Sequence, residues 1–243
     1  MQPDYVEQEG RAPRSRSERR GVIIVGPGKH FGTELIARFA QEGFHVGVIA
    51  RTKANLPDEP SSHLSIELCD IGNPDAFHAA VQRLSADLGP VFCLIYNAKV
   101  SVRGAGLSTP ASALAESMAI NVTGALVGIQ AVIPAMLHNE GACIILTGGN
   151  FKDQPDPERF ALSVGKAGLH GVSRALVRPL QRQGIALKTV IIKGAIRRSD
   201  PTPTSSSALA DFFWAVFKTP KSGGYVFPQE RHAENADQRM LPF

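Results

Sequence analysis

"GVIIVGPGKHFGTELIARF", residues 21–39, is the stretch that decides the fold. It opens with a short, wholly apolar run, passes through a turn with three glycines in seven residues, and continues into a helical pattern with Leu35, Ile36 and Phe39 on one side. An uninterrupted apolar run suits a strand covered on both faces. Glycines permit a tight turn and let backbone approach a phosphate closely. The helix that follows offers unpaired N–H groups and the positive end of its dipole. Strand, glycine turn and helix in that order open the kind of βαβ unit that holds a dinucleotide.

The same alternation runs outward through the chain. Further apolar strands are expected at 45–50, 63–70, 91–98, 142–149, 186–194 and 224–228, with helices over 75–89, 112–138, 162–183 and 206–219. Strands separated by helices imply a parallel sheet with helices on both faces. The expectation is an α/β fold, a single doubly wound Rossmann-type domain over residues 21–228. A polar, arginine-rich tail (1–20) precedes it and a polar tail with an apolar tip (229–243) follows.

Composition narrows the class. The formal net charge is +4, and residues 11–20 hold five arginines against one glutamate, while the first ten residues carry three acids. The first twenty residues therefore sum to only +1, which reads as a solvated arm and not a nucleic-acid grip. No apolar h-region stands at the N-terminus, and no uninterrupted apolar run looks long enough to span a membrane. Cys69, Cys93 and Cys143 show no CxxC spacing and fall in apolar strand-like runs, where cysteine acts as a small hydrophobe. That argues against a metal or disulfide role and for a reducing, cytoplasmic setting.

Folds of this kind that prefer NAD place an acid about 20 residues after the glycines, on the ribose hydroxyls. Here those positions are Ala50 and Arg51. A guanidinium forms paired, charged hydrogen bonds with a phosphate. Arg51, with Lys29 in the glycine turn, points to NADP(H) as cofactor.

With these motifs in place, the chain resembles the short-chain dehydrogenase/reductase family over roughly residues 20–228. The family's TGxxxGxG turn corresponds to "VGPGKHFG", with Gly26 and Gly32 matching and His30 standing where the middle glycine belongs. The resemblance implies cofactor contacts at Gly26, Gly28, Lys29, His30, Phe31 and Gly32. It places Asp70 and Ile71 at the adenine. The family's NNAG motif appears as "YNAK", where Asn97 and Ala98 match and Tyr96 and Lys99 depart. Asn121 matches the family's helix asparagine. Gly194 matches the second residue of the usual PG pair, and Ile196 is the residue whose backbone would meet the nicotinamide amide.

The catalytic motif departs from the family. Its tyrosine lies four residues before its lysine and its serine 13 residues before the tyrosine; from Lys166 these positions are Leu162 and Gly149. A seven-residue spacing, used by enoyl reductases, gives Arg159 instead. Of the family's four catalytic residues Asn121 and Lys166 remain, with Lys166 also implied as a ligand of the nicotinamide ribose. Leu162 and Lys166 share a helix face. Leucine donates no proton, and a positioned acid typically supplies 10²–10⁴-fold in rate.

The sequence therefore admits three uses. One is an atypical NADP(H)-dependent oxidoreductase, reducing an iminium or another polarised acceptor that needs no tyrosine, or taking its proton from Lys99, Lys152, Asp153, His30 or Lys193. Another is a non-redox lyase, isomerase or cyclase on the same fold. The third is a catalytically inactive NADP-binding protein. A small-molecule substrate and a homodimer or homotetramer are expected, with neither nucleic acid nor membrane as partner.

Overall fold

The computed structural model describes residues 19–56, 63–103, 106–196 and 204–228. Most of both tails expected from the sequence lies outside the described residues. The arm nevertheless ends earlier than expected. The Arg20 guanidinium sits 4.2 Å over the ring of Phe44 and its carbonyl accepts from the His45 N–H, so Arg20 belongs to the domain.

Seven strands form one parallel sheet: β1 (Gly21–Val25), β2 (His45–Ala50), β3 (Leu64–Leu68), β4 (Val91–Tyr96), β5 (Cys143–Gly149), β6 (Ala186–Ile192) and β7 (Gly223–Phe227). Their order is β3-β2-β1-β4-β5-β6-β7. The chain winds outward from β1 to β3, then crosses back to lay β4 against β1. That reversal opens a crevice at the carboxyl ends of β1 and β4, where ligands of such sheets bind. Val25 pairs with Tyr96, so Gly26 and Asn97 leave the sheet side by side at the crevice.

The helices are α1 (Phe31–Gln41), α2 (Pro74–Leu88), α3 (Ala111–Met118), α4 (Gly124–Met136), α5 (Phe160–Gln181) and α6 (Ser206–Lys218). Local chemistry sets their ends. The Asn73 side chain accepts from the Ala76 N–H with Pro74 in the first turn, and Ser205 does the same for Ala208. On one face of the sheet α1 and α6 bury Phe39, Phe213, Trp214 and Phe217; on the other, α2, α4 and α5 cover Leu94, Ile144 and Leu146.

Three expectations from sequence need correction. β3 is an edge strand, and Ile66 and Leu68 stay 38% and 48% exposed, so not every strand is covered on both faces. Residues 111–136 form one continuous helical rod, and by length and composition it is long and apolar enough to cross a membrane. It packs instead on α2, α5 and β4, as the core helix of the domain. The rod is also not uniform: Ala119–Thr123 form a π-turn between α3 and α4.

Candidate active site

The glycine turn is held from the side. The Asn97 amide donates to the carbonyls of Gly26 at 2.7 Å and Pro27 at 3.3 Å, taking up oxygens that would otherwise face a ligand. Gly26 has φ +66°, and a Cβ there would lie 2.5 Å from the Cα of Ala98. Only glycine fits a backbone crossing that tight. At Gly32 a Cβ would meet Pro27 at 2.4 Å, so the turn closes directly onto the start of α1. His30 occupies the N-cap of α1 without a side-chain cap hydrogen bond, so the cap side chain does not cover the first N–H groups of that helix.

Beside this turn lies a cavity of about 550 Å³. Of the residues expected at the cofactor it gathers Gly26, Gly28, Arg51, Asp70, Ile71, Asn97 and Ala98. Arg51 stands at the end of β2 with Ala50 and Thr52 as lining neighbours; Asp70 stands just beyond the neighbouring strand β3, one carboxylate oxygen accepting from the Gly72 N–H at 2.9 Å. The remaining expected residues lie outside the lining. Lys29 is exposed on the turn. The Phe31 ring packs 5.0 Å from Phe213, so its side chain is turned to the core and its backbone is what a cofactor there would meet. Gly194 lies beyond β6 and is no part of this cavity. Ile196 packs against the core under α1 and α6.

Sequence reasoning missed further lining residues, among them the carboxylate of Glu116 and Thr52, Leu56, Val100, Ala119 and Ile120. The last two are present because of the π-turn, a one-residue widening that leaves no trace in a 3.6-residue apolar pattern. In that turn the Gly124 N–H bonds the Ala119 carbonyl, five residues back, and not the Ile120 carbonyl, four back. The freed Ile120 carbonyl accepts from the Tyr96 hydroxyl at 2.5 Å. A Cβ on Gly124 would lie 2.4 Å from that hydroxyl, so tyrosine at 96 and glycine at 124 fit one another. Burial pushes the Tyr96 phenol well above its ordinary range, keeping it a neutral donor.

The π-turn carries Asn121 inward. Its amide donates to Ser117 Oγ at 2.8 Å and to the carbonyl of Val100 at 3.3 Å, and its Oδ1 is buried with no partner among the described residues. Ser117 in turn donates to the Ala161 carbonyl at 2.6 Å, tying α3 to the first turn of α5. Gly165 lets the helices meet there, because a Cβ would stand 2.8 Å from Ser117 Oγ and 2.9 Å from Asn121 Nδ2.

Next to Gly165, Lys166 is only 6% exposed and donates to the Thr147 carbonyl at 2.6 Å. Burial first, and the neighbouring charge of Lys99 second, pull the amine down from 10.5 to about 7. Leu162, one turn earlier, is 3% exposed. Gly149 ends β5, so neither position brings a hydroxyl to the amine. Ser163 is committed elsewhere: its Oγ accepts from the Asp156 N–H at 2.9 Å and faces the Asp156 carbonyl at 3.2 Å. Thr147 Oγ1 is buried without a partner among the described residues.

Comparison with known proteins agrees with this layout. Residues 20–203 match the family model described as short chain dehydrogenase. Human 3-oxoacyl-[acyl-carrier-protein] reductase is 25% identical over 171 residues, 69% of this chain and 72% of that protein. D-xylose 1-dehydrogenase of Caulobacter vibrioides is 28% identical over 187 residues, 72% and 71% of the two chains. Among solved structures, a short chain dehydrogenase from Burkholderia cenocepacia in complex with NADP superposes with a TM-score of 0.75 at 18% identity, covering 88% of this chain and 98% of the other. At that identity the superposition speaks for the fold alone.

Proposed function

The chain belongs to the short-chain dehydrogenase family, and from that premise we propose that it is an NADP(H)-dependent oxidoreductase acting on a small molecule with a non-standard catalytic set. The observation that carries this reading is Arg51 lining the cavity beside Asp70, with no acid at the end of β2. The residues present fit such a dinucleotide. The backbone crossing at Gly26 and Ala98 leaves the turn bare of side chains, and the α1 N-terminus next to it suits a pyrophosphate. Asp70 and Ile71 would hold the adenine, Arg51 the 2′-phosphate, Lys166 the nicotinamide ribose, and the backbone beyond Gly194, at Ile196, the nicotinamide amide. A bound dinucleotide would supply or accept a hydride at its nicotinamide ring.

For the acceptor, a neutral polarised carbonyl fits better than an iminium ion. Lys99 and Lys166 lie near enough for their charges to interact, which disfavours a further cation between them, although the lining also carries Asp70 and Glu116. Leu162 in place of a tyrosine leaves a buried apolar side chain one turn before Lys166. Lyase, isomerase or cyclase chemistry, or cofactor binding without turnover, is the competing reading. The experiment is to follow the nicotinamide absorbance of NADPH with a panel of ketones, aldehydes and cyclic imines. Consumption of NADPH supports the oxidoreductase, and product formation without it supports the competing reading.

We also propose a homodimer or homotetramer in the cytoplasm. Small exposed residues such as Ala167 and Gly171 on α5 suit close helix pairing, and a light-scattering mass of one chain at micromolar concentration would contradict it.

A further inference from the structure

At the inner end of the site one hydroxyl, Thr147 Oγ1, has no partner among the described residues, and the others are bonded elsewhere or missing. Ser117 and Ser163 are bonded to backbone of the α5 region, Tyr96 to the π-turn, and positions 149 and 162 carry none. The other group enclosed there with transferable protons is one amine, which as an ammonium is a far stronger acid than the Thr147 alcohol. An ammonium has three N–H donors, and among the described residues Lys166 uses one, toward the Thr147 carbonyl. The residue is enclosed but not sealed, at 6% exposure. Its neighbour Gly165 lies against Asn121, and Asn121 is bonded to Val100 of the cavity wall.

We propose that Lys166 is itself the proton-transferring group of this enzyme, exchanging a proton directly with the reacting oxygen and not acting through a hydroxyl. The inference rests on the oxidoreductase reading above and names the residue that completes its chemistry. In reduction, hydride adds to the carbonyl carbon, the C=O π pair moves to oxygen, and that oxygen takes a proton from the Lys166 ammonium. The carbonyl is reduced to an alcohol, NADPH is oxidised to NADP⁺, and the amine left behind regains its proton from solvent. Oxidation runs in reverse, with the neutral amine as base.

The surroundings suit this exchange. The charge acting on the amine is that of Lys99, from the loop after β4. From α3 and the π-turn the groups beside it are the neutral Ser117 and Asn121, and on α5 the residue one turn earlier is Leu162. Asp156 and Arg159, at the start of α5, pair with one another at 3.5 Å. No carboxylate contributes to its titration among the described residues, so the amine changes charge near neutrality, where acid and base forms are both available.

The test uses the full chain with NADPH and 9,10-phenanthrenequinone as a carbonyl probe. Reduction should fall as pH rises through about 7. Lys166→Arg, which keeps a charge but cannot release its proton, should lose about 100-fold or more in kcat and that pH dependence. Methylamine should restore kcat to Lys166→Ala in proportion to its concentration. Trace acetylation read by mass spectrometry gives a readout without turnover: Lys166 should be half-reactive near pH 7, not at the ordinary lysine value. Lys166→Arg with near-normal kcat and an unchanged pH profile, raising only the KM for NADPH, would overturn the inference while leaving the oxidoreductase standing. NADPH bound but no probe or panel carbonyl reduced would remove the oxidoreductase reading, and this inference with it.

Discussion

The ammonium of Lys166 donates to the backbone carbonyl of Thr147 across 2.6 Å, with no carboxylate contributing to its titration among the described residues. A buried, uncompensated amine costs stability in its charged form. Its folded-state value is about 7 against 10.5 for a free lysine, so between those values the unfolded chain holds a proton that the folded chain has released. Stability therefore rises with pH across that window, and below about 7 the penalty is complete.

Lys166→Met, which keeps the stem and removes the charge, should accordingly be more stable than wild type at low pH. A tenfold difference in proton affinity corresponds to about 1.4 kcal/mol, and the lost hydrogen bond to Thr147 offsets part of the gain. The advantage should shrink as pH rises from 7 toward 10.5. Melting both proteins across this range checks it, and a difference that does not vary with pH would mean the amine is not charged at a cost.

Tyr96 and Gly124 make a second prediction. Tyr96→Phe leaves the Ile120 carbonyl of the π-turn without its donor and should destabilise by about 1–3 kcal/mol. Gly124→Ala would press a methyl against the Tyr96 hydroxyl and also against Ile71. Combined with Tyr96→Phe it should cost less than the two single changes added together, because the phenol is one of the two groups in its way. Denaturant titrations of the four proteins measure this coupling, and strict additivity would show that the pair is not matched.

The central strands and the glycine turn could be read from sequence because each depends on a local property. Continuous apolar runs suffice to mark β1, β4 and β5, and the order of strand, turn and helix marks the crevice. Arg51 followed from its distance along the chain to the end of β2, and Asp70 from the family resemblance. Tyr96 appeared only as a departure from the NNAG motif, because its role depends on a π-turn 24 residues away and on a missing Cβ at Gly124. Lys166 was recognisable as a catalytic-type lysine, yet its charge state depends on its burial against the Thr147 carbonyl and on the charge of Lys99, which are brought to it only by folding. The direction of the Phe31 ring was not legible for a similar reason: only its packing on Phe213 after folding turns it to the core.

Leu162 and Gly149 give the third prediction. Leu162 is buried, and a Cβ at Gly149 would already stand 3.1 Å from the ring of Phe151. Leu162→Tyr with Gly149→Ser should therefore destabilise by about 1–3 kcal/mol through overfilling. It should impair the native reaction while adding activity on simple ketones, since a phenol next to Lys166 is a new acid. Activity on the native substrate that improves would show that these positions had merely decayed.

The most direct measurement of the whole account is a pair of titrations, NADPH and NADH into the wild-type chain and into Arg51→Ala. The account predicts that wild type binds NADPH more tightly than NADH. Arg51→Ala should weaken NADPH by about 1.5–3 kcal/mol, the worth of hydrogen bonds to a charged group, and leave NADH nearly unchanged. Tighter binding of NADH by wild type, or no binding of either, would contradict it.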